Sequence, residues 1–516
     1  MAVSFDIDES QSMKKLLKVA LPLMVLIAVA VMLHSHDKAK NLVWNQIRNP
    51  ETVRMLKQFV AVKKAQAYAA TNNVPSEIQT MFKYAEHGDW LALSNSMQKL
   101  RDRISYWNSL GYGVRRSNDY RGAVEDIISD VAKKVGSPLP WDYWAPPNLK
   151  GTAGEAIKEV YGTLDAFMTG DEKYSSEFGH VVIDSIPADS IYFGGTDPGR
   201  FLITAMEKSQ PNGDPFFIVS QNPLSDSSYL DYLRSMYAGK IYTLTDEDLQ
   251  KSFQDYTTDV QRRLAHDQQS SKEPRQLKPG EHVSFDSNGR IQMSSHMNVI
   301  GIRELLTKTI FDKNPDREFY VEESFPLDWM YPYLEPHGLI MKINRQQLPE
   351  LSAEIVQRDG DYWTKYVTPM IGGWLKPDTT IEEVAAFAEK IHMKKDLSGF
   401  AGDPQFVQSE YWCENFSKLR SSIGGLYAWR AQHATDAGEK KRMNDAADFA
   451  FRQAWALCPY SSETVFRYVN LLMSEHRTAD ALLILETAEK MPAMQGQAGG
   501  TMRVFINQLK ELQKAK

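Results

Sequence analysis

Cysteine is nearly missing from this chain. Of 516 residues only Cys413 and Cys458 are cysteines, far apart and without a CxxC or a histidine-rich neighbourhood. That excludes a disulfide scaffold, leaves no zinc signature, and makes both thiols ordinary buried helix residues. An excess of one charge is missing too: 59 Lys and Arg stand against 66 Asp and Glu, with no long run of either sign. No basic face is offered to a phosphate backbone, so no nucleic-acid partner is expected. Catalytic signatures are the third absence. GxSxG, HExxH and an Asp-rich calcium loop do not occur, so no catalytic residue, metal ligand or cofactor is assigned. Glu322 and Glu323 are adjacent, and on one strand they would point to opposite faces, which makes them a poor two-carboxylate pair.

One long apolar run does occur. From Val19 to Leu33 the sequence reads VALPLMVLIAVAVML, and with Leu16, Leu17 and a snorkelling Lys18 it approaches the roughly 20 residues that cross a bilayer. Ala28-Val-Ala30 resembles a cleavage site, but Val31, Met32 and Leu33 keep the stretch apolar, which favours an uncleaved anchor. Lys14, Lys15 and Lys18 before the span are balanced by Lys38, Lys40 and Arg48 after it. The positive-inside comparison is close to a tie. The reading adopted is a tail over 1–15, an anchor over 16–34 with Leu16 to Leu33 in the membrane, and the bulk outside the cytoplasm. His34 and His36 sit against that anchor as interfacial residues.

Residues 37–137 read as helical. Residues 51–71 contain no proline or glycine, and Ile78, Met81, Phe82 and Ala85 repeat at helical spacing before the breaker His87-Gly88-Asp89 and a second helix from Trp90 to about Ile104. Aromatics such as Phe82, Trp90 and Trp107 at that spacing are core. Four prolines between Pro138 and Pro147 forbid a helix interior, so 138–175 is a junction followed by a helix.

The period changes over 176–345. Val181–Ile183, Ser190–Phe193, Pro215–Ser220, Phe319–Val321 and Gly338–Ile343 read as strands, and Arg200–Lys208, Tyr229–Tyr237, Asp246–Leu264 and Asn298–Phe311 as helices between them. Alternation of this kind predicts a mainly parallel sheet with ligands at the carboxyl ends of its strands. Those ends include IYFGGTDPGRF, residues 191–201. Here Gly194 and Gly195 would let the main chain approach a ligand, Asp197 would cap a helix opened by Pro198, and Arg200 would hold an anion. Asn222 and Asp226 stand in the second such loop. Ordinary turn and capping chemistry explains all six residues equally well. Ala265–Met297, rich in Gln, Ser, Lys, Pro and Gly, reads as a flexible surface insertion.

The stretches IPADSIYFGGTDPGRF, PFFIVSQNPLSDSSYLDYLR and NPDREFYVEESFPLDWMYPYLEPHGLIMKI together resemble the soluble C-terminal portion of bacterial membrane proteins of the protein O-mannosyltransferase-like class. The likeness spans about residues 180–345. It implies an extracytoplasmic α/β module followed by tetratricopeptide repeats. Those proteins carry many membrane spans that house lipid-linked sugar chemistry, whereas this sequence offers one, so the resemblance does not imply transferase activity here.

The repeat signal also stands without the resemblance. Ala447, Phe451, Ala454 and Pro459 have the spacing of a second tetratricopeptide helix, and a 34-residue step gives Ala481, Leu485 and Ala488, with Pro492 one position early. Two such units fill about 428–492, and helices over Thr380–His392, opened by a capping box at Thr380 and Glu383, and over Tyr411–Gly424 complete the stack within 346–516. The sequence therefore predicts an α+β multidomain chain: one transmembrane helix, a helical region, a mainly parallel α/β domain and C-terminal tetratricopeptide-like helices. Its expected role is binding or assembly at a cell envelope, with a protein partner on the repeats. An accessory or enzyme of envelope glycan transfer using the 194–200 loop and a self-associating structural envelope protein are the alternatives.

Overall fold

The structure is a computed structural model. It describes residues 42–71, 73–109, 151–208, 215–269, 273–278, 281, 283–285, 291–293, 296–323, 326–494 and 497–514. The expected anchor at 16–34, the last third of the 37–137 helical region and the Pro138–Pro147 junction lie outside those residues. Among the described residues no helix is long and apolar enough to cross a membrane. Two compact units emerge, one holding the described residues up to Lys64 and 73–109, the other Ala65–Thr71 and everything described from Gly151 onward.

In the first unit, helix α1 (Pro50–Ala70) begins, and α2 (Ser76–His87) and α3 (Trp90–Ser109) follow. Ile78, Met81, Phe82 and Ala85 line the buried stripe of α2. Gly88 ends that helix with φ of 73°, and a Cβ there would come within 2.5 Å of the Trp44 ring. The breaker thus does two jobs: it adopts the left-handed conformation and admits an indole.

The second unit starts with α4 (Gly151–Thr169) and α5 (Glu172–Ser185). Val181–Ile183, expected as a strand, is the last part of α5. Asp171 caps that helix through the amides of Lys173 and Tyr174, and Tyr174, Phe178 and Val182 form its buried stripe at four-residue spacing. Three apolar residues in a row do not distinguish a strand from a buried helix end.

Next come β1 (Ile191–Gly194), α6 (Asp197–Lys208), β2 (Phe217–Ser220), α7 (Ser227–Tyr237) and α8 (Asp246–Gln269). A hairpin of β3 (Val283–Phe285) and β4 (Ile291–Met293) precedes α9 (His296–Lys313) and β5 (Phe319–Glu322), and β6 (Leu334–His337) and β7 (Ile340–Ile343) close the domain. The main sheet has the order β2-β1-β5-β7-β6. β1 is parallel to β2 and β5, while β7 is antiparallel to β5 and β6. The sheet is therefore mixed, not mainly parallel as expected. The reason is local: β6, which the sequence reading missed, joins β7 through the two residues Gly338 and Leu339, with Gly338 at φ of 64°, and so short a link permits only antiparallel pairing.

The insertion expected to be flexible over 265–297 carries specific ties. Residues 265–269 continue α8, Asp267 accepts the amides of Gln276 (2.7 Å) and Leu277 (3.0 Å), and Glu281 takes Tyr256 Oη (2.7 Å) and Arg263 Nη2 (2.9 Å).

The rest is helical: α10 (Ala353–Ile371), α11 (Ile381–Ala388), α12 (Pro404–Gln408), α13 (Glu410–His433), α14 (Ala437–Leu457), α15 (Ser462–Ser474), α16 (Thr478–Glu489) and α17 (Gln497–Lys514). The capping box at Thr380 and Glu383 is present. Ala447, Phe451 and Ala454 on α14 and Ala481, Leu485 and Ala488 on α16 are all buried. Gly424 lets α13 approach the Phe451 ring, which a Cβ would meet at 3.1 Å. Over about 428–492 the structure has the end of α13, a break in helix between His433 and Ala437, then α14, α15 and α16. The α15–α16 hairpin, Ser462–Glu489, is the shorter of the two pairs, and α13–α14, Glu410–Leu457, the longer. With one five-stranded mixed sheet set among helices, the fold is α+β.

Candidate functional site

The chain leaves β1 for β2 on one side through α6 and reaches β5 on the other, so the connections diverge between β1 and β5. At such a point the carboxyl ends of the strands and the first turn of the following helix form the usual ligand crevice. Here the turn that leads into α6 is occupied by the chain itself. Glu322, the last residue of β5, is 1% exposed. Its Oε2 accepts Thr196 N at 3.0 Å and Gly195 N at 3.4 Å, and its Oε1 accepts Thr196 Oγ1 at 2.5 Å. The Glu322 backbone carbonyl takes Gly195 N as well, at 2.8 Å. Thr196 Oγ1 in turn receives Gly199 N (3.2 Å), and Tyr192 Oη donates to Gly199 O (3.0 Å).

The glycines follow from this packing. A Cβ on Gly199 would lie 1.7 Å from Glu322 Oε2, and one on Gly195 would lie 2.1 Å from Glu323 Oε2. A Cβ on Gly194 would meet Gly199 O at 2.9 Å. Glycine is thus needed at 195 and 199 to admit two carboxylates of the same chain. Burial pushes the Glu322 carboxyl up to about 7, and the neighbouring Glu323 charge adds to this, while the hydrogen bonds from Thr196 and Gly195 oppose it.

The six sequence candidates divide. Gly194, Gly195 and Asn222 lie on this rim, where Asn222 Nδ2 donates to Gly195 O (3.4 Å) and its Oδ1 accepts from Arg303. Asp197 opens α6 beside them. Arg200 is directed elsewhere: its Nη2 lies 3.5 Å from Glu155 Oε2 and its guanidinium rests over the Phe201 ring. Asp226 caps α7, accepting Ser228 N and Oγ at 2.9 Å each.

Sequence reasoning placed Gln221, Glu322 and Glu323 at strand ends but did not count them as site residues, setting the two acids on opposite faces, and it missed Arg303. β5 ends at Glu322, so Glu323 has left the pleat and its side chain also reaches the rim, within 3.4 Å of Gln221 Nε2. Two acids at the close of a strand that faces a glycine turn were the available signal.

A second opening lies in the helical part of this unit. A cleft of about 470 Å³ is bounded by Pro332, Leu348, Trp429, Arg430, His433 and Glu439, among others. The Trp429 ring stacks on His433 at 4.0 Å and on Tyr331 at 5.5 Å, and His433 Nδ1 bonds to Trp429 O at 2.8 Å, which leaves Nε2 available. No group of three or more metal-ligating side chains occurs among the described residues. Comparison of the chain with protein-family models, with curated proteins and with solved structures found no match.

Proposed function

We propose that this chain is a membrane-anchored binding and assembly protein whose bulk acts outside the cytoplasm, with the α/β sheet as support and tetratricopeptide-like hairpins as the partner-facing part. One observation carries the choice of binding over catalysis. The ligand position of a divergent strand pair is filled by Glu322, whereas the open cleft lies against α13 and α14. A sugar-phosphate seat on the 194–200 loop, as an accessory of glycan transfer would need, requires Glu322 to leave Thr196. The apolar run over Leu16 to Leu33 supplies the anchor.

Two measurements test this reading. A reporter enzyme that is active only outside the cytoplasm, fused after Lys516, should be active. A photo-crosslinking residue at Asn470, exposed on α15, should give adducts of discrete mass in membranes, and one at Lys251, exposed on α8, should not. A silent reporter removes the exported reading; adducts from both positions, or from neither, remove the hairpins as the partner surface.

A further inference from the structure

Among the described residues of the second unit five arginines are buried, and they are not equivalent. Arg420 is paired with Asp359 at 2.7 Å, Arg452 with Asp448 at 2.7 Å, and Arg263 with Glu281. Arg303 bonds to Asn222 and feels the Glu323 charge. Arg430, 5% exposed, is the one that lines the open cleft, and it has no carboxylate within ion-pair distance among the described residues. Its Nη1 donates to Leu348 O at 2.6 Å, and its Nη2 to Pro332 O at 3.0 Å and Tyr331 O at 3.3 Å. Its buried Nε has no partner.

Three carbonyls orient a guanidinium without cancelling its charge. A buried cation is normally paired, because leaving water costs several kcal/mol, roughly, unless an anion compensates. Burial accordingly pulls the Arg430 guanidinium down, with only Glu439 opposing. Glu439 lines the same cleft yet lies beyond ion-pair distance.

We propose that this cleft binds an organic carboxylate carried on an apolar body, with Arg430 as the anion-holding residue. The remaining lining fits that chemistry. Pro332, Leu348 and Trp429 offer an apolar wall, and His433, whose Nδ1 is taken by Trp429 O, lines it as well. A cleft of this size suits a ligand of one aromatic ring and a short chain. Glu439 sets the specificity: beside one carboxylate it tolerates a single negative charge and disfavours more. The chemistry is shared by a free acid and by a carboxylate on a partner polypeptide. The second source rests on the function proposed above; the first does not.

The test uses the full chain in detergent and calorimetric titration with two probes. One is N-acetylphenylalanine, with its uncharged amide as control. The other is an acetylated, amidated hexapeptide of apolar residues with one central Glu, with Gln as control. At least one acid should bind, with its control at least tenfold weaker. Glu439→Gln should tighten the acid several-fold, and Arg430→Lys, which keeps the charge but removes Nε, should weaken it tenfold or more.

Equal binding of acid and control, binding of neither acid, or an unchanged affinity in Glu439→Gln overturns the proposal. Should Arg430→Lys fail to fold, the acid-to-control ratio and Glu439→Gln still decide. Hexapeptide binding together with absent cross-links from Asn470 would move the partner surface from the hairpin to the cleft, so the two readings fail separately.

Discussion

Glu322 and Arg430 are both buried ionisable side chains at the edge of an opening, and they are used in opposite ways. Glu322 receives Gly195 N, Thr196 N and Thr196 Oγ1, so its acceptors are consumed by the loop that it closes. Arg430 spends two nitrogens on carbonyls and keeps Nε. A buried ionisable group satisfied from within holds the fold together. One left with capacity marks a place for something else. The rim that resembles a ligand crevice by topology is thus filled, and the cleft that no motif announces is open.

The largest effect should come from breaking the closed end of this comparison. Glu322→Ala leaves the Thr196 hydroxyl and the Thr196 amide, just before α6, without their side-chain acceptor, while Gly195 N keeps the residue-322 backbone carbonyl. It should cost about 3 kcal/mol in urea unfolding below pH 7, since stranding buried hydrogen-bond donors costs roughly 1–3 kcal/mol each. The sign of the pH dependence sharpens the point. The folded carboxyl titrates near 7 against an ordinary value of 4.5, so between those values the folded chain keeps a proton that the unfolded chain releases. Stability from this group is fully present below about pH 4.5, falls as pH rises, and is gone above about 7. Relative to Glu322→Gln, the wild type should lose on the order of 3 kcal/mol across that window, at about 1.4 kcal/mol per pKa unit. A difference between the two proteins that is flat with pH would show Glu322 to be ionised throughout.

A smaller effect is expected at Gly199. Its added Cβ would fall on Glu322 Oε2, so Gly199→Ala should cost roughly 1–3 kcal/mol, the range for overpacking. Combined with Glu322→Ala it should cost less than the sum of the two, because the larger side chain is then gone. Additive losses in a double-mutant cycle would mean that the glycine serves the backbone and not the carboxylate.

How much of this was legible in the sequence depends on the range of each interaction. The helical hairpin around Gly88, the capping box at Thr380 and Glu383, and four of the five main-sheet strands follow from neighbours a few residues apart. The Val181–Ile183 run and β6 did not, since a three-residue apolar run and a Pro-interrupted strand are settled only by what packs against them. The rim needed contacts between residue 195 and residues 322 and 323, and Arg430 needed carbonyls at 331, 332 and 348. No local pattern encodes such distances. The glycines at 194, 195 and 199 were visible, but the side chains that require them were not.

Asp226 gives the mildest test and bears on both halves of the comparison. It was a candidate ligand residue by position, and it accepts both Ser228 N and Ser228 Oγ as the N-cap of α7. An N-cap of this kind is worth about 1 kcal/mol, and its loss frays one helix end without unfolding the domain. Asp226→Ala should therefore lower stability by about 1 kcal/mol in chemical denaturation and leave N-acetylphenylalanine affinity unchanged. The α7 cap touches neither Glu322 nor Arg430 through any hydrogen bond it makes. If the substitution instead altered acid binding while costing no stability, Asp226 would belong to a site and not to a helix end. The division between a closed rim and an open cleft would then fail at its least expected point.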